Sequence, residues 1–126
     1  MQGAGFDPSV WDGLPPKDAR HLAGLIVADL QRNHALLGEA LAAGDRTQAA
    51  RAAHSLSSVA ANAGCEVVRV AAASVERLLR AGDVDQAASL AGELRHQAAT
   101  LIAAIESWIA VAPAASAAAA ATVRGE

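Results

Sequence analysis

Four histidines and one cysteine are the side chains of this 126-residue chain best suited to nucleophilic or metal chemistry. One of them, His54, stands in "RAAHSLSSVAANAGC" (51–65), among alanines and serines, with a glycine next to last. Three roles fit such a residue: a core side chain, a metal ligand, or a nucleophile left open to a partner. A metal site needs further His, Cys or carboxylate ligands at suitable spacing, and no His, Asp or Glu lies one helical turn from His54.

Advancing about 100° per residue around a helix through this stretch, Ala49, Ala52, Ala53, Val59, Ala60 and Ala63 fall within roughly 60° of Leu56. They form the stripe expected to be buried, whereas His54 falls roughly 160° away and is expected to face out. Ala50, Arg51, Ser57, Ser58 and Ala61 surround it at helical-neighbour spacings. Unprotonated imidazole is nucleophilic near neutral pH, so an exposed ring on a shelf of small side chains can take up a group from a closely approaching protein. Exposed histidines are also common on alanine-rich helices, and exposure alone does not choose between the two readings. His21, His34 and His96 lie scattered on other segments and read as ordinary surface or rim residues. Cys65, after Gly64, reads as a small packing residue rather than a reactive thiol.

These residues need a scaffold, and the composition points to an all-α one. Hydrophobic residues make up 53 % of the chain but aromatics only 2 %, with no Tyr and one Phe. Alanine supplies most of the apolar fraction, which favours close-packed helices, and no run alternates β-branched with polar residues. Asp7-Pro8 reads as a cap and first position of a short helix reaching Trp11, stopped by Gly13 and the Pro15-Pro16 pair. Longer helices are expected over about 17–43, 46–63, 66–81 and 84–110. In the first of these, Leu22, Leu25, Ile26, Leu30, Leu37 and Leu41 are the expected apolar positions; in the third, Val67, Val68, Ala71, Val75, Leu78 and Leu79. The tripeptide "AGD" occurs at 43–45 and 81–83, where Gly suits a left-handed helix end and Asp caps the next helix. Short connections make neighbours antiparallel. The expected architecture is an up-down-up-down four-helix bundle with a short N-terminal lid helix. Its divisions are an N-terminal segment (1–16), the bundle (17–111) and an Ala-rich, disordered tail (112–126).

The formal net charge of −3, without a basic stripe or interleaved aromatics, argues against nucleic acid as partner. The N-terminus carries acids and prolines rather than a basic start and an apolar core, unlike a signal peptide. The most apolar stretch, "LIAAIESWIAVAPAASAAAAA", is broken by Glu106 and Pro113 before it reaches membrane-spanning length. A single cysteine excludes an internal disulfide and fits a reducing compartment. The expectation is a soluble, cytoplasmic, monomeric protein with no membrane association.

The stretch "AAHSLSSVAANAGC" resembles the centre of the histidine-containing phosphotransfer (HPt) domains of bacterial multistep phosphorelays, whose pattern is Ala-His-x-Leu-Lys-Gly, small residues, then Leu-Gly-Ala. The flanking "LAAGDRTQAARAAH" and "LLRAGDVDQAASLAGEL" are similar to the family as well, and the likeness covers roughly 17–109. It implies a helical bundle in which His54 accepts a phosphoryl group from a receiver-domain aspartate and passes it to another. It implies receiver domains of response regulators or hybrid histidine kinases as partners. The chain itself would need no cofactor, with Mg²⁺ carried by the receiver, and would be a relay intermediate rather than an autonomous kinase.

Two positions depart from the family pattern: Ser57 stands where lysine is usual and Ser58 where glycine is usual. The lysine would offset phosphoryl charge, and Arg51, one turn before His54, is a candidate to replace it. Ala50, Ala61 and either Val68 or Val70 are expected to supply docking area, with Arg51 and Arg69 at its rim. Two other readings use the same fold. One is a degenerate module that regulates a kinase or receiver by binding alone; the other is a scaffold whose histidine is idle.

Overall fold

The computed structural model describes the backbone of residues 5–124 and the side chains of 5–111. Four α-helices follow a short 3-10 helix at Pro8–Trp11: α1 (Pro16–Ala43), α2 (Arg46–Asn62), α3 (Glu66–Arg80) and α4 (Val84–Arg124). The described residues contain no strand. Helix α1 packs on α2 and α4, and α3 packs on α2 and α4, which closes the up-down-up-down ring. The last helix continues past Pro113 into the Ala-rich segment expected to be a disordered tail, and the side chains of 112–126 lie outside the described residues.

One turn construction is used three times. Gly44, Gly64 and Gly82 all have φ between 65° and 84°, which alanine would adopt only at a cost. In each case the next residue's N–H reaches back to a carbonyl five residues earlier: Asp45 to Ala40, Cys65 to Ala60, and Asp83 to Leu78. This ties off the orphan carbonyls of the ending helix. The next helix is capped at once where Asp follows, since Asp45 accepts from the Gln48 N–H and Asp83 from that of Gln86. Both "AGD" tripeptides are therefore a stop and a start joined in three residues.

Alanine sets the spacing of the core. Ala49, Ala53, Ala60, Ala72, Ala87 and Ala98 are fully buried, so helix backbones approach closely around Leu30, Leu37, Leu56, Leu94 and Leu101. Leu56 is the one large side chain that α2 buries. Two expected core residues lie outside: Leu25 and Val67 are about half exposed. Leu25 sits roughly 140° around α1 from Leu30, and Ala19, Ala23 and Val27 fill the stripe instead. Helical angle, not side-chain size, decided burial there.

The N-terminal segment straps one end of the bundle. Asp7 caps Pro8–Trp11 by accepting from the Ser9 N–H at 3.0 Å. Trp11 is buried, its Nε1–H donates to the Asn62 carbonyl at 3.1 Å, and its ring lies edge-on to Trp108 and against Phe6. All three aromatic residues of the chain meet in this cluster beside the α2–α3 turn.

Candidate functional site

Helix α2 turns its alanine stripe inward and so turns His54 outward. The His54 side chain is 64 % exposed, as its angle from Leu56 requires. It does not stand alone. The α2–α3 connection is three residues long, so the helices run antiparallel and in contact, and position 76 comes level with position 54. There the Nδ1–H of His54 donates to Oε1 of Glu76 at 3.0 Å. A carboxylate only accepts, so this bond puts a proton on Nδ1, and in the neutral ring Nε2 is then the unprotonated nitrogen. Nε2 has no hydrogen-bond partner among the described residues.

Glu76 is itself held from the other side. Its Oε2 accepts from Arg80 Nε at 2.8 Å, one turn further along α3. The Glu76 side chain is only 19 % exposed. Burial pushes the carboxyl up, but the hydrogen bonds from Arg80 and His54, with their electrostatic attraction, outweigh it and leave the group below its ordinary value. It is an anion at neutral pH.

The other residues singled out by sequence distribute around this pair. Ser57 is half-buried and turned toward α3, where its hydroxyl donates to the Arg69 carbonyl at 3.1 Å. That bond braces the two helices. Ser58 and Ala61 are exposed on the His54 side of α2. The Arg69 guanidinium is tied to Glu66 through both Nε and Nη2, and that pairing raises its basicity. Arg51 is exposed and makes no ion pair among the described residues. It lines an open groove of ≈ 410 Å³ between α1 and α2, together with Asn33, Glu39, Asp45, Gln48 and Ser55. That puts it on the α1 side of His54, across the ring from Glu76.

Two docking residues expected from sequence are not on the surface. Ala50 is 2 % exposed and Val68 fully buried, so neither supplies docking area, while Val70 is half exposed. The reason is the width of the α2–α3 contact: Ala50 lies on the Ser57 side of α2, roughly 120° from Leu56, and α3 covers it. Sequence reading also missed Glu76 and Arg80. A usable signal was present, since Glu76-x-x-x-Arg80 is a helical i, i+4 pair. Positions 54 and 76 also stand ten and twelve residues to either side of the Gly64 turn.

No other cluster competes. His34 Nε2 meets the Arg95 carbonyl at 3.1 Å, His21 and His96 are exposed, and no group of three or more His, Cys, Asp or Glu is placed to hold a metal among the described residues. Burial pushes the Cys65 thiol up, against backbone N–H groups that pull it down, so it stays protonated in the core. Among the described residues no helix is long and apolar enough to cross a membrane.

Comparison with curated proteins and with solved structures gives no match. A family model described as the Hpt domain matches residues 21–108, well over half of the chain and all of the surface built here around His54. Hpt domains carry a phosphoryl group on histidine within two-component phosphorelays and interact there with receiver domains. With an all-helical bundle, an outward histidine and this match, the chain belongs to the Hpt domain family.

Proposed function

We propose that His54 is the phosphoryl-accepting residue of this Hpt domain, receiving the group from a receiver-domain aspartate and delivering it to a second receiver. The observation that carries the reading is the His54–Glu76 hydrogen bond, which supports an open Nε2 on an otherwise small, accessible surface. In the forward step Nε2 attacks the phosphorus of the aspartyl phosphate. The Nε2–P bond forms, the aspartate O–P bond breaks, and the aspartate leaves as a carboxylate. The Nδ1 proton stays where it is, the ring gains a positive charge, and the Glu76 carboxylate 3.0 Å away offsets it. In the return step a second aspartate attacks phosphorus and neutral imidazole leaves with its Nδ1–H intact. No proton has to move in either direction, which suits a carrier that must work both ways.

In this reading Mg²⁺ belongs to the receiver, the chain acts as a cytoplasmic monomer, and it is a relay intermediate rather than a kinase. Ser57, bonded to the Arg69 carbonyl, does not take the place of the usual lysine. Arg51, which makes no ion pair among the described residues, is the cation left to balance phosphoryl charge near the ring. The docking surface is the exposed face around His54, Ser58 and Ala61, with Arg51 and Arg69 at its edges.

The test is transfer from a panel of phosphorylated receiver domains with Mg²⁺ onto the wild-type chain and His54→Ala. Acid-labile label on the wild type alone supports the reading. Receivers that bind both forms and label neither would make the domain a docking regulator without chemistry.

A further inference from the structure

The carboxylate beside His54 has two oxygens, and each is occupied by a different helix position. Oε1 takes the His54 Nδ1–H and Oε2 takes the Arg80 Nε–H. The other side-chain ion pairs of the described residues, Asp29 with Arg32 and Glu66 with Arg69, join two exposed neighbours on one helix and reach no third group. Of the side-chain ion pairs among the described residues, the chain Arg80–Glu76–His54 alone crosses from one helix to another. A glutamate turns freely about its last bond, and left to itself Glu76 would meet His54 with either oxygen, or with neither. Holding Oε2 fixes the plane of the carboxylate and aims Oε1 across to α2.

We propose that Arg80 is a positioning residue for His54: by holding Oε2 of Glu76 it keeps Oε1 on Nδ1 and so keeps Nε2 free to take the phosphoryl group. This rests on the reading of His54 as phosphoryl acceptor. Arg80 touches no reacting atom and acts only through Glu76. Its cationic charge also helps keep Glu76 ionised, in line with that group's depressed value. The exposed Arg80 side chain buries little, so its removal leaves the bundle core intact.

The experiment uses the full chain as wild type, Arg80→Ala and Arg80→Lys, with two readouts. The first is the His54 side-chain ¹⁵N spectrum with the imidazole in its neutral form, which reports the tautomer without any partner. The second is single-turnover phosphoryl uptake from a phosphorylated receiver over a range of receiver concentrations. The expected result is a predominantly Nδ1–H ring in the wild type and a loss of that preference in Arg80→Ala. The maximal transfer rate of Arg80→Ala should fall roughly two- to fivefold, as for an exposed ion pair, at unchanged half-saturating receiver concentration. Arg80→Lys should recover most of both. An Arg80→Ala ring identical to wild type overturns the proposal. So does a raised half-saturating concentration with an unchanged tautomer, which would make Arg80 a docking contact instead. If no receiver labels even the wild type while the tautomer still responds to Arg80→Ala, the positioning role stands and the phosphorelay reading falls.

Discussion

His54 on α2 and Glu76 on α3 face each other across a three-residue turn and twenty-two positions of sequence, with Nδ1 and Oε1 3.0 Å apart. In the proposed reaction this one carboxylate would both select the ring nitrogen that stays open and supply the counter-charge for a phosphorylated imidazole. Those two contributions separate experimentally.

Glu76→Gln keeps an acceptor oxygen near Nδ1 but removes the charge, whereas Glu76→Ala removes both. A charge-assisted bond at a partly exposed site is worth about 1.5 kcal/mol, so Glu76→Gln should slow phosphoryl uptake roughly tenfold and Glu76→Ala further. Rapid-quench transfer from a phosphorylated receiver measures both. Equal rates for wild type and Glu76→Ala would remove the carboxylate from the chemistry.

Ser57 has a structural duty between α2 and α3. Its hydroxyl bonds the Arg69 carbonyl, which lies inside α3 and keeps its helical bond when the hydroxyl is removed. Ser57→Ala should therefore cost about 1 kcal/mol in urea unfolding and leave the transfer rate within twofold of wild type. A large loss of transfer at full stability would place the hydroxyl in the reaction.

The three turn glycines differ in what surrounds them. A Cβ at Gly64 would come within 2.9 Å of Val10 and 3.0 Å of the Asp7 carbonyl, while one at Gly44 meets nothing within 4 Å. Gly44→Ala should cost about 1–2 kcal/mol for the left-handed backbone alone. Gly64→Ala adds overpacking against the N-terminal strap and should cost about 2–4 kcal/mol. Thermal or urea unfolding of the two variants separates backbone strain from loss of the strap, and fluorescence of the Trp11–Trp108 pair reports whether the strap has lifted.

Glu76 also makes stability depend on pH. Its folded value lies below the ordinary 4.5, so the unfolded chain takes up the proton first as pH falls. The stabilisation is complete above the ordinary carboxylate range and is lost as pH drops through the depressed folded value. The unfolding free energy of wild type minus that of Glu76→Gln should be positive above the ordinary carboxylate range and shrink as pH falls through and below it. A difference that grows as pH falls below the ordinary carboxylate range would contradict the sign.

Much of this was legible from local sequence, and the limits have a physical origin. The turns are written in glycine and aspartate, whose backbone and capping preferences act within a few residues, and the helix bounds at 43, 46, 66 and 84 followed from them. The outward direction of His54 followed from helical angle, because Leu56 and the alanines marked the inner stripe. Leu25 and Val67 were misread because large apolar letters were given more weight than angle. Ala50 and Val68 were misread because the width of an interhelix contact depends on both partners. The pairing of His54 with Glu76 and Arg80 is tertiary: it depends on the register of α2 against α3, which no single helix specifies.

The most direct measurement is to phosphorylate the chain from a receiver domain and locate the phosphorus by ³¹P–¹⁵N correlation on labelled histidine. One phosphohistidine is expected, on His54, with phosphorus bonded to Nε2 and the proton retained on Nδ1. Phosphorus on Nδ1, or on another residue with His54 unmodified, would contradict it.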